Sequence, residues 1–116
     1  MTRLALILGV ALTGALLTPL ALAEDGGATV NIHNYAYEPP VITIPKGGKV
    51  TWINKDDTPH TVVATDKQFR SPAIDTGDSF SRTYNEVGTF GYVCGLHPQM
   101  KGSVVVTPEV TAAPSY

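Results

Sequence analysis

The chain has 116 residues, of which 43% are apolar, 8% aromatic and 16% charged. This length allows one domain at most, and a charged fraction below the usual roughly 25% excludes a disordered polyelectrolyte. Eight basic and ten acidic residues give a net charge of −2 without a basic stretch, so a nucleic-acid partner is not expected. The single cysteine, Cys94, excludes an internal disulfide and every metal site that needs two thiolates from one chain.

Residues 1–23 have the pattern of a secretory signal peptide. Arg3 precedes an apolar run at 4–17, and an Ala-Leu-Ala tripeptide of the kind found at cleavage sites ends at Ala23. The alternative is a membrane anchor, but the run is shorter than the roughly 20 residues that a spanning helix needs. We therefore expect cleavage after Ala23, a periplasmic location and no membrane attachment of the mature protein.

The rest of the chain has the pattern of short strands separated by turns, and no segment of it has a sustained helical period. In chain order, strands are predicted at residues 28–34, 41–44, 49–54, 60–65, 79–84, 89–94 and 102–107. This pattern predicts an all-β sandwich or small barrel of about seven strands. We assign residues 24–107 to this domain and residues 108–116, a polar segment with two prolines, to a flexible C-terminal tail.

The motif with the clearest chemistry joins Cys94, His97 and Met100 at the spacing C-x2-H-x2-M. A cysteine at a strand end, followed by a tight loop, can direct all three side chains at one centre. His60 follows a polar loop and supplies a second imidazole from a neighbouring strand. Two imidazoles, a thiolate and a distant thioether are the ligands of a trigonal His2Cys copper site with a weak axial Met.

Each of these residues also has a simpler interpretation. A lone cysteine in a secreted protein can be a buried free thiol or can form an intermolecular disulfide. Met100 could be an ordinary core residue, and His60 could be a capped surface residue. Their joint spacing and strand context favour a metal site. His33 is different, because it lies on the polar face of the first predicted strand, and we expect it to be exposed to solvent.

These motifs resemble those of the cupredoxins, the type 1 blue-copper proteins, over about residues 28–107. The resemblance includes the Trp52-Ile53-Asn54 stretch, the Pro59-His60 pair and the Cys-to-Met loop. Plastocyanin and pseudoazurin have a longer loop, C-x2-H-x4-M. The short C-x2-H-x2-M loop of this chain is similar to that of the amicyanins, although the residues between the ligands differ.

The resemblance implies a Greek-key β-sandwich of seven or eight short strands and one type 1 copper ion. It implies the metal ligands His60, Cys94, His97 and Met100. It also implies that Asn54, near the copper, ties the two ligand loops together by hydrogen bonds close to the cysteine sulfur. The alternative for Asn54 is a local turn bond at the end of a strand.

The function implied by the resemblance is that of a one-electron carrier and not of an enzyme. Copper oxidases and nitrite reductases couple this type of site to a second copper through histidines beside the cysteine, but Val93 and Gly95 flank Cys94 here. The implied partners are a donor dehydrogenase and an acceptor cytochrome c, which would dock transiently on a monomer. The implied docking patch contains Pro59, Leu96, His97 and Pro98.

A periplasmic copper carrier or store without a redox partner is the alternative function. Such proteins usually have runs rich in Met or His, whereas this chain has two Met and three His in all. An oxidised electron carrier is expected to be intensely blue, and a Cu(I) carrier is expected to be colourless and to exchange its copper quickly with a chelator.

Overall fold

The computed structural model describes residues 26–108, which form two four-stranded β-sheets. The strands in this range are β1 (Ala28–His33), β2 (Ala36–Glu38), β3 (Val41–Pro45), β4 (Lys49–Asn54), β5 (Val63–Ala64), β6 (Ser79–Thr83), β7 (Gly88–Val93) and β8 (Lys101–Thr107). One sheet has the order β2-β1-β4-β6 and the other has the order β3-β8-β7-β5. The prediction of an all-β sandwich with seven or eight short strands is confirmed.

The predicted signal peptide, residues 1–23, and most of the predicted tail lie outside the described residues. Between residues 26 and 108, no helix has the length and apolar character that a membrane crossing requires.

Alternating apolar residues explain why these segments are strands that face one another. In β1, Val30 and Ile32 are buried, and in β4 the same alternation buries Val50 and Trp52. The two strands run parallel, with Val30 paired to Trp52. Strands β3 and β8 repeat the pattern in the second sheet, where they also run parallel. The inward faces of the two sheets therefore form one hydrophobic core.

Two predicted features differ from the structure. Strand β2 was not predicted, because it is only three residues long and follows a turn that lacks glycine and proline. The strand predicted at 60–65 is reduced to β5, because the preceding residues bond to the segment around 71–74 instead. The His60 N–H donates to the Ile74 carbonyl (3.2 Å), the Ile74 N–H donates back (2.8 Å), and the Ser71 N–H donates to the Val62 carbonyl (2.8 Å).

Strand pairing in the second sheet brings two distant segments to the same end of the sandwich. Strands β5 and β7 are antiparallel, with Val63 paired to Val93, so the residues just before β5 lie beside those just after β7. Strands β7 and β8 are joined by the loop at 94–100, and Val93 pairs with Lys101 across it. His60 and Cys94 are therefore brought together although 34 residues separate them.

Candidate metal centre

The structure brings together the two imidazoles and the thiolate that the sequence singled out. The Cys94 Sγ atom lies 3.8 Å from His60 Nδ1 and 3.7 Å from His97 Nδ1. These three ligand atoms all lie within 4.8 Å of one another. Cys94 and His60 have no solvent-exposed surface, whereas His97 is partly exposed.

These distances fit one metal ion bound by all three donors. With bonds of about 2.3 Å to sulfur and about 2.0 Å to nitrogen, two donors at an angle of about 110–120° on one ion lie about 3.5–3.7 Å apart. The separations of 3.7 and 3.8 Å lie at the upper end of this range. A set of two imidazoles and one thiolate is typical of copper.

Met100 closes the loop that carries Cys94 and His97. The Cys94 N–H donates to the Met100 carbonyl (3.1 Å), and the Met100 N–H donates to the His97 carbonyl (2.9 Å). The Met100 side chain is 2% exposed and belongs to the hydrophobic core cluster. The short loop therefore ends in a buried methionine, the residue that the sequence predicts as the fourth ligand.

His60 is fixed from its other side by a buried carboxylate that sequence reasoning missed. The His60 Nε2–H donates to Asp56 Oδ2 at 2.8 Å, which leaves Nδ1 unprotonated and facing Cys94. A carboxylate in this position sets the tautomer and the orientation of a metal-binding imidazole. Burial raises the pKa of Asp56, but the Tyr35 and Asn34 backbone N–H groups and His60 together lower it below its ordinary value. Asp56 therefore stays ionised at neutral pH.

Cys94 lies in surroundings that favour its thiolate. Burial raises the pKa of the Cys94 thiol. The Thr61 backbone N–H, which donates to the sulfur (3.4 Å), the His60 and His97 imidazoles beside it, and the Leu96 backbone together outweigh this effect. The net result lowers the pKa of Cys94 from 9.0 to about 6. A metal ion at neutral pH therefore meets a thiol that is already largely ionised.

This lowered pKa predicts a pH-dependent stability of the metal-free protein. Since the folded-state pKa of Cys94 is depressed, its stabilising contribution is complete above the unfolded-state value of 9.0 and is lost as pH falls to about 6. We expect the free energy of unfolding to rise between pH 6 and pH 9, and Cys94→Ala to abolish most of that rise. Urea titrations of both metal-free proteins across this range test it, and equal slopes would contradict the assignment.

The resemblance implies that Asn54 alone ties the two ligand loops together, whereas in the structure Asn54 and Thr61 both contribute to this arrangement. Asn54 is fully buried, and its Nδ2 donates to the Thr58 and Ile74 carbonyls (2.8 Å each) while its Oδ1 accepts from the Asp56 N–H (2.9 Å). These bonds shape the loop before His60. The link to the other ligand loop is made by Thr61, whose Oγ1 accepts from the Gly95 N–H at 2.8 Å.

The remaining residues singled out from the sequence lie at the surface. Pro59, Leu96 and Pro98 are exposed, and Leu96 and Pro98 flank the partly exposed His97 in the chain. The prediction that His33 is exposed is confirmed, since its side chain is 52% exposed beside Glu38. Of the three histidines in the chain, His60 and His97 contribute to the metal centre.

Comparison with known proteins agrees with this geometry. The family model of the cupredoxin-like domain matches residues 4–106. The chain is a cupredoxin.

The relatives of this cupredoxin include the amicyanins, as its short ligand loop predicts. It is 38% identical over 96 residues to amicyanin of Paracoccus denitrificans, covering 77% of this chain and 73% of that protein. Amicyanin-alpha of Methylorubrum extorquens is 33% identical over 101 residues, covering 83% and 85%.

Solved structures show the same likeness. A purple cupredoxin from Nitrosopumilus maritimus has a TM-score of 0.66 at 33% identity, covering 69% of this chain and 99% of that one. A reduced Cu(I) form of an amicyanin variant at pH 4 has a TM-score of 0.65 at 38% identity, covering 77% and 91%. Family membership and the cluster of His60, Cys94 and His97 together assign a single copper ion as the cofactor of this cupredoxin.

Proposed function

We propose that this cupredoxin is a periplasmic, mononuclear type 1 blue-copper protein that carries one electron at a time and catalyses no reaction of its own. The observation that carries the proposal is the buried Cys94 thiolate held 3.7 and 3.8 Å from two imidazole nitrogens. The proposed ligands, which would hold the copper ion, are His60, Cys94 and His97, with the Met100 thioether as a fourth, weaker donor.

The bound copper supplies the exchange of one electron between its Cu(II) and Cu(I) states. The protein contributes donors that move little during this exchange. Asp56 fixes the His60 ring, Thr61 fixes the Cys94 sulfur through its backbone N–H, and the Cys94–Met100 backbone bond closes the loop. A set of mixed nitrogen and sulfur donors suits both oxidation states in part, so a rigid arrangement keeps the structural change on electron transfer small.

The buried surroundings of the thiolate favour the less charged Cu(I) state. Tyr37 donates a hydrogen bond to the Thr61 carbonyl (2.7 Å), and its ring packs edge-on against Tyr92 with centroids 4.7 Å apart. Tyr92 in turn packs against Trp52 at 5.2 Å. Tyr37, Tyr92 and Trp52 are each at most 2% exposed, so this aromatic cluster excludes water from the core beneath the ligand loops.

Electrons are proposed to enter and leave through His97, the partly exposed ligand. The exposed side chains of Leu96, Pro98 and Pro59 give this face a small apolar surface, and small interfaces are typical of brief encounters between redox proteins. The proposed partners are a donor dehydrogenase and an acceptor cytochrome c, which bind a monomer transiently. The signal-peptide pattern of residues 1–23 supports a periplasmic location for this exchange.

A periplasmic copper carrier or store is the second candidate, and colour separates the two functions. The carrier hypothesis predicts a colourless Cu(I) protein that gives up its copper quickly to a chelator. The electron-carrier hypothesis predicts an intense visible band from charge transfer between Cys94 and Cu(II), which disappears on reduction and returns on oxidation. A spectrum of the copper-loaded protein in both oxidation states tests the proposal.

The proposed role of Met100 predicts the effect of replacing its thioether with an amide. Met100→Gln should keep a blue or greenish site but lower the reduction potential, because a harder oxygen donor favours Cu(II). Cyclic voltammetry of the variant beside the wild type measures the shift. An unchanged potential would show that Met100 is not a ligand.

The metal-free protein is expected to fold and to melt at a lower temperature than the copper-loaded protein. The sandwich buries a core that does not depend on the metal, while a ligand that binds only the folded state adds about 4 kcal/mol at a free concentration 1,000 times its Kd. For a domain of this size, that corresponds to a Tm difference of more than about 10 °C. Calorimetry of both forms measures it, and a metal-free protein without a cooperative transition would contradict it.

A further inference from the structure

The two-residue turn between β1 and β2 contains an unusual residue. His33 pairs with Ala36 across the hairpin, so Asn34 and Tyr35 form the whole loop, and both have positive φ angles, 53° and 57°. Two-residue hairpin loops with positive φ at both positions prefer Asn followed by Gly. Tyr35 occupies the position of that glycine, where a bulky side chain is strained.

The surroundings of the turn hold Tyr35 in this conformation. The Asp56 carboxylate accepts from the Asn34 N–H (2.7 Å) and from the Tyr35 N–H (3.0 Å). Its Oδ2 atom, which accepts from Tyr35, also accepts from His60 Nε2–H. One buried carboxylate therefore fastens the turn to the imidazole that we assign as a metal ligand.

The Tyr35 ring lies against both imidazoles of the metal centre. Its centroid is 5.3 Å from that of His60 and 4.9 Å from that of His97, with interplanar angles of 86° and 82°. These are edge-to-face arrangements, which aromatic rings prefer. The Tyr35 hydroxyl lies 3.1 Å from the Thr58 Oγ1 atom, within hydrogen-bond distance. Tyr35 is 47% exposed, so one side of the ring contacts the imidazoles while the other faces solvent.

We propose that Tyr35 is a positioning residue of the metal centre, whose ring braces His60 and His97 and opposes their rotation out of the ligand positions. A strained residue persists where the contacts around it compensate for the strain, and such residues cluster at functional sites. The contacts that depend on the Tyr35 side chain are the two ring pairs and the hydroxyl contact with Thr58. The bonds to Asp56 hold the backbone of the turn and would form with glycine as well. The expected effect of Tyr35 on copper binding rests on the proposed copper site. The expected effect of Tyr35 on the orientation of the two imidazoles does not depend on that proposal.

The sharpest test is Tyr35→Gly, because glycine relieves the strain at the turn and removes the whole side chain, the ring together with its hydroxyl. Tyr35→Phe is the matched control, since it keeps both ring pairs and loses only the hydroxyl. Each edge-to-face pair shifts a local equilibrium by about 2- to 12-fold. We expect Tyr35→Gly to release copper to an excess of a Cu(I) chelator about 10 times faster than the wild type, and Tyr35→Phe to stay within about 2-fold of it.

Two measurements on the metal-free full chain separate bracing from a structural role in the turn. The thermal midpoint of Tyr35→Gly should be no lower than that of the wild type, because Asn-Gly suits the turn. In the NMR spectrum, the nuclear Overhauser contacts between the His60 and His97 rings, whose centroids lie 5.0 Å apart, should weaken in Tyr35→Gly and keep their wild-type intensity in Tyr35→Phe. Chemical shifts do not serve as this readout, because the loss of the Tyr35 ring current changes them whether or not the imidazoles turn. A lower midpoint of Tyr35→Gly, with unchanged contacts between the imidazoles and an unchanged release rate, would show that Tyr35 serves the turn alone.

The outcomes also separate this inference from the proposed function. A wild-type protein without a blue band overturns the blue-copper proposal, while weakened contacts between the His60 and His97 rings in Tyr35→Gly would still establish the bracing of the two rings. A blue wild-type protein whose Tyr35→Gly variant keeps the wild-type contacts between the imidazoles and the wild-type release rate overturns the role of Tyr35 and leaves the copper proposal standing.

Discussion

Cys94→Ala should abolish the blue band and the reversible one-electron reduction completely. The thiolate is the proposed chromophore and the main covalent route for the electron, and Cys94 is the only cysteine in the chain. The remaining imidazoles can still hold copper, but nitrogen donors alone give Cu(II) the tetragonal geometry that it prefers. Visible absorption and cyclic voltammetry of the copper-loaded variant measure the loss.

The matched control for this variant is His33→Ala, which removes an imidazole that is exposed outside the metal centre. It should keep the wild-type band, potential and copper stoichiometry. A blue band that survives in Cys94→Ala, or that disappears in His33→Ala, would place the copper elsewhere.

Asp56→Asn is expected to lower copper affinity by about 10- to 100-fold, the usual cost of losing a hydrogen-bond partner of a metal ligand. The carboxylate accepts three hydrogen bonds, from the Asn34 and Tyr35 backbone N–H groups and from His60 Nε2. An amide has one oxygen, so its NH2 group must face at least one of these donors. If it faces His60, the imidazole proton is driven to Nδ1, the atom that should bind the metal.

The same substitution should also lower the free energy of unfolding of the metal-free protein by about 1–3 kcal/mol, because a buried donor loses its acceptor. The control is Asp57→Asn, which makes the same change of charge one residue away at an exposed position. Chelator competition and urea unfolding of both variants measure the two effects. Equal behaviour of Asp56→Asn and Asp57→Asn would show that the effect is one of net charge and not of the bond to His60.

The sequence was sufficient to predict the sandwich because four of its strands, β1, β3, β4 and β8, alternate buried residues with more exposed ones over at least five positions. Strand β4 is an example, since its alternation is visible in the sequence and its bounds are those predicted. Strand β2 could not be predicted, because three residues are too few to show an alternating apolar pattern. The turn before it was also not recognisable, because Tyr35 stands where such turns usually have glycine. The shortening of β5 depends on bonds between His60 and Ile74 that only the folded chain defines.

The metal centre was predictable to the extent that its residues are close in sequence. The spacing of Cys94, His97 and Met100 is local, whereas the contact of Thr61 with Cys94 spans 33 residues and requires the register of β5 and β7. Asp56 lies four residues before His60, so its carboxylate could have been predicted from the sequence as a hydrogen-bond partner of that histidine. The bond from the Tyr35 N–H to Asp56 spans 21 residues, and the sequence alone could not predict it.

The decisive measurement for electron transfer is the visible spectrum of the copper-loaded protein, recorded during a reversible redox titration at neutral pH. We expect one copper per chain, an intense blue band in the oxidised protein, and its loss and full recovery with the transfer of a single electron. A protein that binds copper without this band, or that loses the metal on each reduction, would contradict the electron-carrier function and favour a copper carrier.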